Sequence, residues 1–145
     1  MMEFNKQISH VSWTFSACQE ATREVQKETK EALKFPPIYN FPIFNQYTKH
    51  LSFSLKLLKQ AEKIWGNMVQ TNRVHTSGIT NMQNVYVKRS LFQHQVAMDY
   101  LLQMTYEREF HQDFLCKNLY QKNRKLHQII EQLMQQIQKL QSLSL

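Results

Sequence analysis

The last thirty residues carry a stripe in alternating steps of three and four: Cys116, Leu119, Asn123, Leu126, Ile130, Leu133, Ile137, Leu140 and Ser144. A 3.5-residue period stays on one face only if the helix supercoils around another, so the pattern predicts a coiled-coil segment over 116–145. With Cys116 opening the a series, isoleucines fill a at 130 and 137, leucines fill d, and the polar Asn123 falls at a, where it would set register. Ile129, Met134 and Leu143 widen the stripe. The flanking glutamines offer no charge code, which leaves homodimer and hetero-association equally open.

Upstream, Phe4, Ile8, Val11, Phe15, Cys18, Thr22, Val25, Thr29 and Ala32 fall on one stripe of a first helix within 1–34. The stripe is strong at its beginning and fades to threonine and alanine toward its end. The Phe35-Pro36-Pro37 break must stop that helix, since proline lacks a donor and pushes its predecessor out of helical geometry. Residues 35–45 then read as an extended strap. Phe35-Pro36-Pro37-Ile38-Tyr39 is followed by Phe41-Pro42-Ile43-Phe44, a near repeat whose aromatics and isoleucines need burial, on this chain or in a partner's groove.

A second helix is predicted from about Gln46 to Gln70, with Tyr47, Leu51, Leu55, Leu58, Ala61, Trp65 and Met68 on one side and Phe53, Leu57 and Ile64 beside them. That face is wide enough to need two neighbours. Gly66 would permit a close helix approach or a weak kink. The polar stretch 71–81 reads as the second connection. From Met82 no Gly or Pro interrupts the helical pattern up to Leu145, which permits one very long helix or a break near 105–112. Phe92, Val96, Leu101, Leu102 and Met104 are expected to pack on the first two helices, making 46–115 a bundle from which 116–145 projects.

Composition supports helices. Two glycines and three prolines among 145 residues are too few for a many-stranded sheet or a glycine-rich phosphate loop. Eighteen Lys and Arg against eleven Asp and Glu give a net +7, which suits an acidic partner, but no run of cations exceeds two residues, at Lys88-Arg89 and Arg124-Lys125. Cys18 and Cys116 sit on apolar helical faces and read as buried thiols of a reducing intracellular compartment, cytoplasmic or cytoskeletal before organellar. Neither a signal peptide nor a transit peptide is indicated, and no apolar stretch reaches the roughly 20 residues of a membrane span.

Motifs for chemistry are weak. The six histidines form no HExxH or ExxH pair, and Glu107, His111 and Cys116 are the best metal candidates available. No serine lies in a GxSxG elbow. Lys117, Lys122, Arg124, Lys125 and His127 stand near the start of the zipper, yet Asp99, Glu107, Glu109 and Asp113 occupy the place where a DNA-reading basic region would need arginines.

The sequence therefore predicts an all-α protein of three long helices ending in a coiled coil. Its expected role is that of a non-enzymatic structural or accessory subunit of a large assembly, with no cofactor, metal, small-molecule substrate or membrane insertion. Partner contacts are expected at the strap and along Leu119, Asn123, Leu126, Ile130, Leu133, Ile137 and Leu140. A basic ribonucleoprotein component touching RNA backbone through Lys88, Arg89, Lys117, Lys122, Arg124 and Lys125 is the alternative. A helical-bundle enzyme with a polar cavity at Glu107, His111 or His94 is the third reading.

Overall fold

A computed structural model describes residues 2–34, 42–105 and 113–144. Among these the chain is all-α, with no strand. Helix α1 spans Met2–Leu33, α2 Pro42–Gln70, α3 Thr76–Asn81, α4 Lys88–Thr105 and α5 Asp113–Leu143. A π-helical stretch, Met82–Val87, joins α3 to α4 without a break, so 76–105 acts as one rod.

The four rods form an antiparallel bundle. Gln7 on α1 reaches the Gln136 carbonyl on α5 while Glu24 meets Lys122 and Lys125, so these two helices run in opposite directions. Ser54 pairs with Ser90 and His50 with Gln93, which sets α2 against α4. Trp65 donates to Ser12 and Tyr47 meets Thr29, which orders α1 against α2. Gln83 donates to the Met134 carbonyl and His94 faces Asn123, which closes the ring between α4 and α5. Contact is extensive along α2–α4 and α1–α5 and sparse along α1–α2.

Local chemistry explains the ends. Pro42 opens α2, where its missing N–H would have no helical acceptor and its fixed φ already suits a helix. Asn72, at φ 56°, closes α2 in a Schellman turn: Arg73 N–H donates to Met68 O at 2.8 Å and Asn72 N–H to Val69 O at 3.2 Å. His75 then caps α3, its Nδ1 accepting from Gly78 N–H at 3.1 Å. A Cβ at Gly78 would lie 2.7 Å from Met68 Sδ and 2.9 Å from the His75 ring, so a larger residue there would make those two side chains shift.

Several sequence expectations are corrected. The stripe of Leu119, Leu126, Ile130, Leu133, Ile137 and Leu140 does not project as a separate coiled coil: each residue is buried in this chain's own core, as is Asn123. A 3.5-residue stripe serves an intramolecular antiparallel bundle as well as an intermolecular zipper, and the chain reverses between Thr105 and Asp113 to bring it home. In the folded chain these seven side chains are unavailable to an outside partner. The rods are four rather than three, and 82–145 is not a single helix.

Within the predicted strap, Pro42, Ile43 and Phe44 form the first turn of α2. Phe44 is buried with its ring 5.5 Å from Tyr47, while Pro42 is exposed. Phe35, Pro36, Pro37, Ile38, Tyr39 and Phe41 lie outside the described residues. The connection between α2 and α3 is shorter than 71–81, because α3 already begins at Thr76. Gly66 is exposed and has open space where a Cβ would stand, so no close approach depends on it. Phe92 faces outward, 66% exposed, because the buried line of α4 runs instead through Ser90, His94, Ala97, Leu101 and Met104.

Candidate functional site

Two features stand out beyond the apolar core, a buried hydrogen-bond chain and an open groove. The chain begins at Thr29 on α1, whose hydroxyl donates to the Val25 carbonyl at 2.8 Å and so accepts from Tyr47 on α2 at 2.9 Å. Asn123 spends both amide hydrogens, on the Tyr47 oxygen and the Leu119 carbonyl, each at 2.9 Å. Its Oδ1 must therefore accept from His94 Nε2–H at 3.0 Å, which fixes the His94 tautomer and leaves Nδ1 as an acceptor. The partner there is His127 Nδ1, 3.0 Å away, which has to donate. The two imidazoles stack with centroids 5.2 Å apart.

At the far end, His127 Nε2 lies 3.2 Å from Glu131 Oε1. With Nδ1 already donating, a neutral ring would turn a lone pair toward that carboxylate. Every link is satisfied only when His127 carries a second proton. Burial outweighs the opposing pull of Glu131 and Asp99 and holds His127 below the usual histidine range. His94 lies deeper: burial pushes it down to about 4, against the opposing Asn123 bond, so it stays neutral near pH 7. Burial raises Tyr47 to about 12, which keeps its proton available to Thr29. This chain ties all four rods together. The sequence pattern places Asn123 at an interior position but gives no sign of its partners, because His94 and Tyr47 lie on other helices and His94 is a polar residue at a core position.

The groove lies between α1 and α2, where contact is sparse, and encloses about 830 Å³. Cys18, Leu51, Leu55 and Leu58 form its floor, and Thr29 also borders it. The Cys18 thiol is pushed up to about 12, first by burial and then by the nearby Glu62 carboxylate, so it remains protonated and unreactive. Exposed Arg23 and Lys30 on α1 and Lys56 and Lys59 on α2 line the edges. None of the four has an ion-pair partner among the described residues. Glu62, the one carboxylate in the lining, accepts from Gln19 across the seam.

Charge is uneven over the bundle. Residues 42–105 hold seven cations (Lys49, Lys56, Lys59, Lys63, Arg73, Lys88 and Arg89) and two acids (Glu62 and Asp99), whereas 2–34 hold five of each. The outer α2–α4 face also exposes Phe53 and Phe92, with the Arg89 guanidinium 5.9 Å from the Phe53 ring centre. Of the cations predicted to meet RNA, Lys122 and Lys125 instead face Glu24 at 3.8 and 3.7 Å.

Among the described residues no cluster of three His, Cys, Asp or Glu side chains is placed to hold a metal, and no helix is long and apolar enough to cross a membrane. Glu107 and His111, and the side chain of Cys116, lie outside the described residues. No protein-family model, curated protein or solved structure matches the chain.

Proposed function

We propose that the chain is a non-enzymatic accessory subunit that docks a neighbouring protein along the open α1–α2 seam. The observation that carries this is a leucine floor edged by four cations lacking ion-pair partners in the folded chain and a single carboxylate, Glu62, since an apolar strip inside a predominantly cationic rim suits a recognition groove. Buried His94 does not compete as a catalytic residue, because both its ring nitrogens are spent, on Asn123 and His127. A photo-crosslinking residue placed at Gln26 or Lys59 should join the chain to the same single subunit in its native cell, while one at Lys139 on α5 should not. Absence of any stoichiometric crosslink from the two seam positions rejects the reading.

Contact with RNA backbone is the second reading, favoured by the +5 carried by residues 42–105 and by the exposed Phe53 and Phe92. It requires oligonucleotide affinity that falls steeply with salt and drops when Lys88 and Arg89 are replaced. Affinity indifferent to both removes it.

A further inference from the structure

We propose that the α1–α2 groove receives an amphipathic helix of a partner protein, acidic along both flanks of its apolar face. The inference rests on the docking function proposed above and names the chemistry of the partner.

Dimensions come first. The α1 wall runs from Cys18 to Lys30 and the α2 wall from Thr48 to Glu62. At a helical rise of 1.5 Å per residue these walls are about 18 and 21 Å long, the length of a helix of roughly twelve to fourteen residues. Leu51, Leu55 and Leu58 follow one another at helical spacing along the floor, and half-buried Leu55 still offers apolar surface to a row of knobs from above.

Charge placement then selects among occupants. Arg23 and Lys30 stand two turns apart on one wall, and Lys56 and Lys59 stand on the other, whose one carboxylate, Glu62 at its end, is engaged by Gln19. A fatty acid carries its charge at one end and would leave most of these cations unanswered. A nucleic acid would need aromatic platforms for its bases, whereas the floor is aliphatic. A helix with an apolar stripe and carboxylates on both flanks satisfies floor and walls together. Pairing at the rim steers encounter and fixes register more than it sets final affinity, so binding should be sensitive to salt.

The probe is a fluorescein-labelled fourteen-residue peptide. It carries leucines at its second, fifth, ninth and twelfth positions and glutamates at its first, sixth, eighth and thirteenth, with alanine and glutamine elsewhere. Fluorescence anisotropy against the full chain should show saturable binding. The double variant Arg23→Glu/Lys59→Glu, altered only at exposed positions and checked for an unchanged melting curve, should weaken it by about tenfold or more. Leu55→Gln should weaken it through the floor, whereas Arg89→Gln on the outer α2–α4 face should leave it unchanged.

Equal binding of a peptide of the same composition with its leucines and glutamates shuffled overturns the proposal, because bulk charge would then suffice. Binding of laurate or of an oligonucleotide that the same groove variants abolish, with no binding of the peptide, overturns the choice of partner class while leaving the seam a docking site. Peptide binding lost in Arg89→Gln but kept in the groove variants overturns both.

Discussion

The bundle has two kinds of seam, and α1 takes part in both. Toward α5 it meets a wall of Leu119, Leu126, Ile130, Leu133, Ile137 and Leu140, each nearly inaccessible to water. Toward α2 it presents Cys18, Thr22, Gln26 and Thr29 beside Arg23 and Lys30, and the two helices scarcely touch. Large branched side chains that fill the space between rods close the first seam. Small and polar ones cannot fill the second. Fully burying one Leu or Ile contributes about 1.5–3 kcal/mol, so the α5 seam holds much of the folding energy and the α2 seam can remain open without unfolding the chain.

The sharpest way to break this contrast is to shorten one leucine on each side. Leu133→Ala removes a fully buried side chain and should cost about 2–5 kcal/mol in urea unfolding, because the site cannot collapse around the lost atoms. Leu55→Ala, at the half-exposed groove floor, should cost less than about 1.5 kcal/mol, since water already reaches that position. Equal costs would mean that the α1–α2 seam is closed in solution.

Much of the first seam could be read in the sequence, and its destination could not. The steps of three and four from Leu119 to Leu140 specify a helix with one apolar face, but the same spacing serves a separate zipper and an internal bundle. What decides between them is the reversal between Thr105 and Asp113, which no glycine or proline marks. The groove had a legible trace: the stripe of α1 fades from Phe4, Ile8, Val11 and Phe15 to Thr22, Thr29 and Ala32, and the seam lies open alongside the faded part. Phe92 misled because it is large and apolar yet points out. His94 misled in the opposite sense, being polar yet buried. Only partner geometry makes a core histidine tolerable, and the partner Asn123 is on a different helix.

A second effect separates the polar chain from the apolar seam through pH. His94 titrates at 6.5 in an unstructured chain and at about 4 in the fold. Between those values the unfolded chain binds more protons than the native one, so this contribution lowers stability as pH falls from 6.5 toward 4. Below that range it amounts to a loss of about 3 kcal/mol. Urea unfolding of the native chain at pH 7 and pH 4.5, set beside His94→Gln, should show a flatter pH response in the variant over that window. Parallel curves would show that His94 is more accessible to protons than its surroundings imply. Burial also holds His127 below the ordinary histidine range, so its protonation acts in the same sense, and His127→Gln should flatten the pH response in the same direction.

The smallest effects lie at the charged edges, and they differ between the seams too. Glu24 faces Lys122 and Lys125 across α1–α5 at 3.8 and 3.7 Å, too far for a hydrogen bond, and the three side chains are 34–61% exposed. Glu24→Gln should therefore cost at most about 1 kcal/mol, and less in high salt. Arg23→Gln, at a rim position without an ion-pair partner among the described residues, should leave the free chain as stable as before. If Glu24→Gln cost as much as Leu133→Ala, electrostatic clamping rather than apolar filling would be what distinguishes the seams. The unanswered cations of the groove would then stand for a missing structural clamp, and their reversal would destabilise the free chain instead of only weakening a docked helix.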